Sequence, residues 1–277
     1  MDRQVIDDLD LSGKRVLTRV DFNVPISDGK VVDDTRIEAA LPTIKKIIGD
    51  KGKLILMSHL GRPNGEAKEE FSLKPVCERL SELLGQDVKM AADCVGESIE
   101  NLVNGLTDGK VLLLENTRFH KEETANDAEF ANQLANLGDV YINDAFGTAH
   151  RTHASTHGVA KLIKESAAGY LMQSEVENLT KLLESAERPY VVILGGAKVS
   201  DKLKVIHNLV TRVNAMLIGG GMAYTFLKAK QVAVGNSILD EERIAMAYNS
   251  MVVAQNPHPL KKLQFLLPED HIIANGK

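Results

Sequence analysis

The sequence contains no tryptophan, 4% aromatic residues, two cysteines and no excess of positive charge. So few aromatic rings exclude an aromatic cage or a base-stacking platform. Cys77 and Cys94 form neither a CxxC pair nor a disulfide framework, so the expectation is a reducing cytoplasm. With 33 basic against 38 acidic residues the formal net charge is -5, which argues against a general nucleic-acid or membrane surface. Any anion site must therefore be a local cluster. The N-terminal MDRQVIDDLDLSGKR carries no apolar signal segment, and no apolar run reaches about 18 residues.

Several catalytic signatures are also missing. There is no GxxxxGK[ST] phosphate loop, and NVPISDGK rather than GxGxxG follows the first strand candidate, which argues against a nucleotide-dependent dehydrogenase. Ser58 and Ser155 lack a GxSxG elbow, and neither cysteine has a nucleophile signature. His150, His153 and His157 have helical offsets, but no HExxH, Cys-rich spacing or carboxylate pattern supports a metal there.

What is present is a 44% hydrophobic chain of 277 residues, enough for two medium domains with real cores. Short apolar runs at 15–22, 53–58, 88–91, 110–115, 139–143, 190–194, 215–218 and 263–267 predict strands. Helices are predicted over 35–48, 73–84, 127–137, 173–187 and 202–211. Near-continuous apolar strands alternating with helices predict parallel sheet covered on both faces, the doubly wound α/β arrangement. In QSEVENLTKLLESAERP, Val176, Leu179, Leu182 and Leu183 form an amphipathic stripe that ends at Pro189. The predicted division is a first domain over 1–170, a linking helix over 171–189 and a second domain over 190–277.

In open parallel sheets ligands bind beyond the carboxyl ends of the strands. Asp21, Asn23, His59, Arg62, Arg118, His150 and Arg151 fall at those predicted ends, and Arg36 opens the helix TRIEAALPTIKK. Guanidinium groups stay charged and offer paired donors to carboxylate and phosphate oxygens, so a small polyanion is the expected occupant. His150 is expected beside that anion, whereas His120, His153 and His207 are expected to be structural or solvent-facing and His258 to lie in a loop. In the second domain, GGAKVSDK and GGGMA follow strands, and Lys198 and Lys202 supply point charges for a phosphate or nucleotide surface.

The strings RVDFNVP, DDTRIEAALPTI, MSHLGRP, LLLENTRF, NDAFGTAHRTHAST, GGAKVSDK and GGGMAYTFLKA, in this order, resemble the phosphoglycerate kinase family over essentially the whole chain. The resemblance implies two Rossmann-like three-layer α/β/α units with mainly parallel sheets, the second incomplete. It implies a 3-phosphoglycerate-binding first domain, a partial nucleotide-binding second domain, and transfer of the acyl phosphate of 1,3-bisphosphoglycerate to ADP, with Mg²⁺ accompanying ADP/ATP. By similarity Asp21 and Asn23 meet the glycerate, while Arg19, Arg36, His59, Arg62, Arg118, His150 and Arg151 surround its anionic groups. Arg36 and Lys198 are the expected catalytic residues, Arg36 on domain closure; Lys198 and Lys202 meet the nucleotide phosphates, and the main chain of Gly219 and Gly220 lines the adenosine pocket.

The resemblance further implies a cytoplasmic monomer acting on small molecules, without nucleic acid or membrane. Two local departures are Lys230 or Gln231 at a common glycine position and the proline-containing AQNPHPLKKLQF. The chain stops at NGK just after LLPEDHIIA, and the family's later glutamate, GG[DG] loop and magnesium-contacting aspartate have no match. The expectation is a C-terminally truncated chain, impaired or inactive as a kinase, with incompletely covered sheet in its second half. The alternative expectation is a non-catalytic chain that retains 3-phosphoglycerate binding.

Overall fold

The structure is a computed structural model that describes residues 4–200, 202–255 and 263–272. It forms two compact units, Met1–Leu179 and Thr180–Lys277. Unit 1 carries β1 (Arg15–Arg19), β2 (Ile26–Ser27), β3 (Lys30–Val31), α1 (Thr35–Gly49), β4 (Lys53–Met57), α2 (Lys74–Leu84), β5 (Val88–Met90), α3 (Glu97–Asn104) and β6 (Val111–Leu113). It continues through α4 (Lys121–Ala125), α5 (Ala128–Ala135), β7 (Val140–Asn143), α6 (Val159–Leu162) and β8 (Glu165–Ala168). Helix α7 (Tyr170–Glu184) crosses the division. Unit 2 carries β9 (Val191–Leu194), α8 (Leu203–Leu209), β10 (Ala215–Ile218), α9 (Met222–Ala229), α10 (Ile244–Gln255) and β11 (Gln264–Leu266).

The main sheet of unit 1 has the order β5-β6-β4-β1-β7-β8, with every pairing parallel. Its strands are apolar at successive positions because both faces are covered. Val16, Leu54, Leu56, Val111, Leu113, Val140 and Ile142 enter one core, and Leu17, Ile55, Met57, Leu112, Leu114 and Tyr141 enter the other. This two-residue alternation is the packing counterpart of the near-continuous apolar runs. The exception to parallel pairing is the β2–β3 hairpin, turned by Asp28 and Gly29 in left-handed conformations. It lies in ISDGKV, outside the runs that predict strands.

Other elements without a sequence expectation have identifiable reasons. β8 reads ESAA and has only Ala167 buried, so no apolar run marks it. α3 is a short helix starting after Gly96, and only Ile99 and Val103 on it are buried. On α7 the predicted apolar stripe exists, yet Leu179, Leu182 and Leu183 are exposed and only Met172 is buried. The reading of His258 lies outside the described residues.

Unit 2 has a parallel sheet in the order β11-β10-β9. Its faces differ. Val192, Leu194, Met216, Ile218 and Phe265 pack into the unit's core with α8, α9 and α10 residues such as Ile206, Phe226 and Met251. On the opposite face Ile193 is 75% exposed, Val191 49% and Leu266 48%. The expectation of an incompletely covered sheet therefore describes this face, among the described residues.

A paired substitution tests the asymmetry. Met216→Ala should cost unit 2 about 2–5 kcal/mol, because it leaves a void in the covered core. Ile193→Thr, on the open face, should change stability by no more than about 0.5 kcal/mol. Denaturant unfolding followed by a unit 2 probe measures both, and equal losses would mean that the open face is covered.

Candidate active site

The carboxyl ends of β1, β4, β6 and β7 deliver the polar side chains of unit 1 to one rim. At the end of β1, Arg19 is fully buried. Its Nε donates to Ser155 Oγ at 2.8 Å, its Nη1 to the Val20 carbonyl, and its Nη2 to His59 Nδ1 at 3.1 Å. Burial pushes its pKa down, but an arginine starts so high that it stays charged. Ser155 in turn donates its hydroxyl to Glu123 Oε1 at 2.6 Å and its backbone N–H to Oε2 at 2.9 Å. Glu123, on α4, is fully buried as well. A hydroxyl thus bridges a buried cation and a buried anion.

This network fixes His59. A guanidinium has no acceptor, so Nδ1 must accept and the ring hydrogen resides on Nε2. Burial and then the charges of Arg19, Arg118, Arg151 and His153 hold the imidazole pKa at about 2. At neutral pH His59 is a neutral donor, not an acid–base group.

The loop after β4 is shaped by its neighbours. Asn116, fully buried after β6, accepts from the N–H groups of Leu60 and Arg118 and donates to the carbonyls of Leu60 and Phe71. Asn23 accepts the Gly61 N–H at 2.9 Å, and Arg118 Nη1 donates to the Gly61 carbonyl at 2.8 Å. Gly61 has φ 61°, and a Cβ there would meet the Phe71 ring at 2.4 Å. Only glycine lets this turn close, and the turn carries Arg62.

The result is a cavity of about 310 Å³ lined by Arg62, Asn64, Gly65, Arg118, His120, Thr124, Arg151 and His153. Within unit 1, Arg118 Nε and His153 Nδ1 are buried without a hydrogen-bond partner. Burial, followed by the charges of Arg151 and Arg19, lowers the Arg118 pKa, and Glu123 offsets this only in part. Three guanidinium groups and an unpartnered buried donor favour an anion with several oxygens.

The structure brings Arg62, Arg118 and Arg151 together around this cavity. Asp21, Asn23, Arg36 and His59 form an adjoining set: Arg36 Nη1 binds Asp21 Oδ2 at 2.9 Å, and His59 Nδ1 lies 3.9 Å from Asp21 Oδ1. Arg19 lies beneath the rim, with its guanidinium engaged by protein groups. His150 is exposed and does not line the cavity. His120, His153, Asn64, Gly65 and Thr124 line it without having been singled out as site residues. The signal for two of them was the Asn-Gly turn in RPNGE, whose residues both have positive φ.

In unit 2, GGAKVS leaves β9 and GGGMA leaves β10 at register-paired ends, Leu194 opposite Ile218. The loops touch through backbone: Gly219 N–H donates to the Leu194 carbonyl and Met222 N–H to the Gly196 carbonyl, each at 2.8 Å. Gly220 has φ 64°, and a Cβ would lie 3.0 Å from Gly196 N. Lys198 and Lys202 are exposed beside these loops. Two cavities of about 440 and 580 Å³ lie on helix and sheet surfaces without these glycines or lysines in their linings. Among the described residues, the one group of three His, Cys or carboxylate side chains converging as for a metal is in unit 1: Asp93, Cys94 and His120. Among its described residues, unit 2 therefore presents no such ligand set.

The sequence model of the family described as phosphoglycerate kinase matches residues 6–277. A phosphoglycerate kinase of Anaeromyxobacter sp. (strain Fw109-5) is 56% identical over 272 residues, covering 97% of this chain and 68% of that protein. The solved phosphoglycerate kinase of Coxiella burnetii superposes with TM-score 0.82 at 40% identity, covering 96% of this chain and 66% of that one. For the Pyrococcus horikoshii OT3 phosphoglycerate kinase the TM-score is 0.80 at 31% identity, with 96% and 67% covered. The chain thus spans about two thirds of the length of these relatives.

Two measurements check the buried network. Glu123→Ala removes the acceptor opposite a buried guanidinium and should cost about 3–5 kcal/mol in urea unfolding. For His59, the folded pKa lies far below the unfolded value near 6.5, so the unfolded chain takes up the proton first. Its contribution is fully present above pH 6.5 and falls by up to about 1.4 kcal/mol per pH unit below it. His59→Gln should therefore lose about 2 kcal/mol less than the parent between pH 7 and pH 5. Equal losses would remove the neutral assignment.

Proposed function

The chain belongs to the phosphoglycerate kinase family, and on that premise we propose that it binds 3-phosphoglycerate or 1,3-bisphosphoglycerate in unit 1 and ADP or ATP in unit 2. The reaction proposed is the reversible glycolytic transfer of the acyl phosphate of 1,3-bisphosphoglycerate to ADP. The observation that carries the reading is the cavity in which Arg62, Arg118 and Arg151 meet the unpartnered Arg118 Nε. A phosphorylated carboxylic acid supplies anionic oxygens for three guanidinium groups, and the neutral His59 adds a donor without adding charge.

In the proposed roles, Asp21 and Asn23 orient the glycerate, and Arg36, held by Asp21, serves the transferring group. Asn23 already accepts from Gly61, so it acts on the loop as well as on substrate. Lys198 and Lys202 meet the nucleotide phosphates, and the main chain of Gly219 and Gly220 supports the adenosine. During transfer the bond between phosphorus and the acyl oxygen breaks while a β-phosphate oxygen of ADP bonds to phosphorus. The carboxylate of 3-phosphoglycerate leaves, so no proton has to move. Arg36 and Lys198 stabilise charge on the equatorial oxygens, and the protein contributes orientation and charge stabilisation, not a covalent intermediate. Mg²⁺ enters this reading with the nucleotide, where it neutralises phosphate oxygens; the described residues of unit 2 show no converging ligand set for it, so no step is assigned through it. The setting proposed is a cytoplasmic monomer using small-molecule substrates.

Calorimetric titration with 3-phosphoglycerate at low salt, where surface charge is least screened, tests the cradle. Arg62→Ala removes charge-assisted hydrogen bonds worth about 1.5–3 kcal/mol, so affinity should fall roughly 10- to 150-fold. An unchanged affinity, or none in the folded parent, would overturn the assignment of the cavity. A coupled assay with ATP then separates the two halves of the reading: binding with turnover supports the kinase, and binding without it leaves the glycerate site alone.

A further inference from the structure

Asp93, Cys94 and His120 play no part in the proposed transfer, yet they converge. β5 and β6 are adjacent and parallel, so the segments following both strands leave the sheet at one rim. Asp93 and Cys94 follow β5; His120 follows the 3-10 turn Thr117–Phe119 after β6. The placement is built in by several contacts. Asp93 Oδ1 accepts the Cys94 backbone N–H at 2.6 Å, and the Asp93 carbonyl accepts the Glu115 N–H at 3.3 Å. The His120 ring stacks on Phe130 with centroids 5.1 Å apart, and its Nε2 lies 2.6 Å from Asp93 Oδ1. One ligand atom from each of the three residues lies within 4.8 Å of the others.

We propose that Asp93, Cys94 and His120 form a three-ligand site for a borderline divalent cation of the Zn²⁺ class, with water completing a tetrahedron. A thiolate, an imidazole and a carboxylate are the donor types that such ions select over Mg²⁺ or Ca²⁺. Bonds of about 2.0–2.3 Å put tetrahedral ligand atoms about 3.3–3.7 Å apart. The Asp93–His120 separation of 2.6 Å therefore has to open by about 1 Å, while the other separations already lie within 4.8 Å.

Charge and access agree with this assignment. The carboxylates of Asp93 and Glu122 face His120, and those of Asp93 and Glu123 face Cys94, which offsets part of the positive field of the neighbouring arginine cavity. Coordination uses the thiolate of Cys94 and the neutral imidazole of His120, so binding releases the thiol proton. Cys94 is the buried anchor, while Asp93 and His120 are only partly covered and leave an approach from solvent. His120 also lines the arginine cavity, so the ion would share a wall with the anion site.

Co²⁺ is the probe, because a thiolate bound to it gives a near-ultraviolet charge-transfer band and a tetrahedral site gives intense visible bands. Titration of the full chain should saturate at one Co²⁺ with both signatures, and Zn²⁺ should displace them. Cys77→Ser should leave the spectrum unchanged, because Cys77 lies in the other core of the sheet. Cys94→Ser should abolish the charge-transfer band, and His120→Asn should weaken affinity at least tenfold while the band keeps its position. Absence of the band in the parent chain, or its persistence in a folded Cys94→Ser variant, overturns the site. Should Cys94→Ser fail to fold, an unchanged affinity in His120→Asn overturns it equally.

Discussion

Everything at the rim of unit 1 depends on one compensated pair of buried charges. Arg19 and Glu123 are both removed from water, and Ser155 joins them by accepting from one and donating to the other. Isolated charges in such a place are costly, whereas a bridged pair with its remaining donors occupied is tolerated. The bridge ties the end of β1 to α4 and to the π-helical turn Ala154–Gly158. Tyr141 adds a further tie by donating its hydroxyl to the Ser155 carbonyl at 2.9 Å. Segments far apart in sequence thereby hold fixed positions around the cavity without a disulfide or an apolar plug.

The same pair explains how so many cations can gather. Arg62, Arg118 and Arg151 face one space, and like charges repel; burial and the charges of Arg118 and Arg151 lower the His153 pKa, which favours its neutral form. Glu123 lies below as a fixed counter-charge, with His153 Nδ1 3.9 Å from its Oε1. His59 escapes the repulsion by remaining neutral. The rim is consequently charged where it meets solvent and neutral or paired around Arg19, Glu123 and His59, while Arg118 Nε and His153 Nδ1, on two cavity-lining residues, keep no partner.

Much of this was legible in the sequence because parallel strands covered on both faces leave near-continuous apolar runs, and because the residues after them fall at one sheet edge. Arg62, Arg118 and Arg151 were found by that reasoning. The depth of Arg19 was not, since the last residue of a strand and the first of a loop look alike until burial is known. His120 and His153 escaped because a histidine carries no local signal of which space it faces. Convergence of Asp93 and Cys94 with His120 also depends on the adjacency of β5 and β6, a fact of strand order rather than of spacing. β8 and α3 were silent for a different reason: each buries too few apolar side chains to mark the chain.

The open face of the unit 2 sheet has a thermodynamic consequence. Apolar surface that is wet in the folded state adds nothing to the heat capacity of unfolding, because its hydration is the same before and after. Ile193 is largely in that condition and Val191 and Leu266 about half so, whereas the corresponding strand positions of unit 1 are dry. Per residue, unit 2 therefore has the smaller heat-capacity increment, a flatter stability curve with temperature and a weaker response to denaturant.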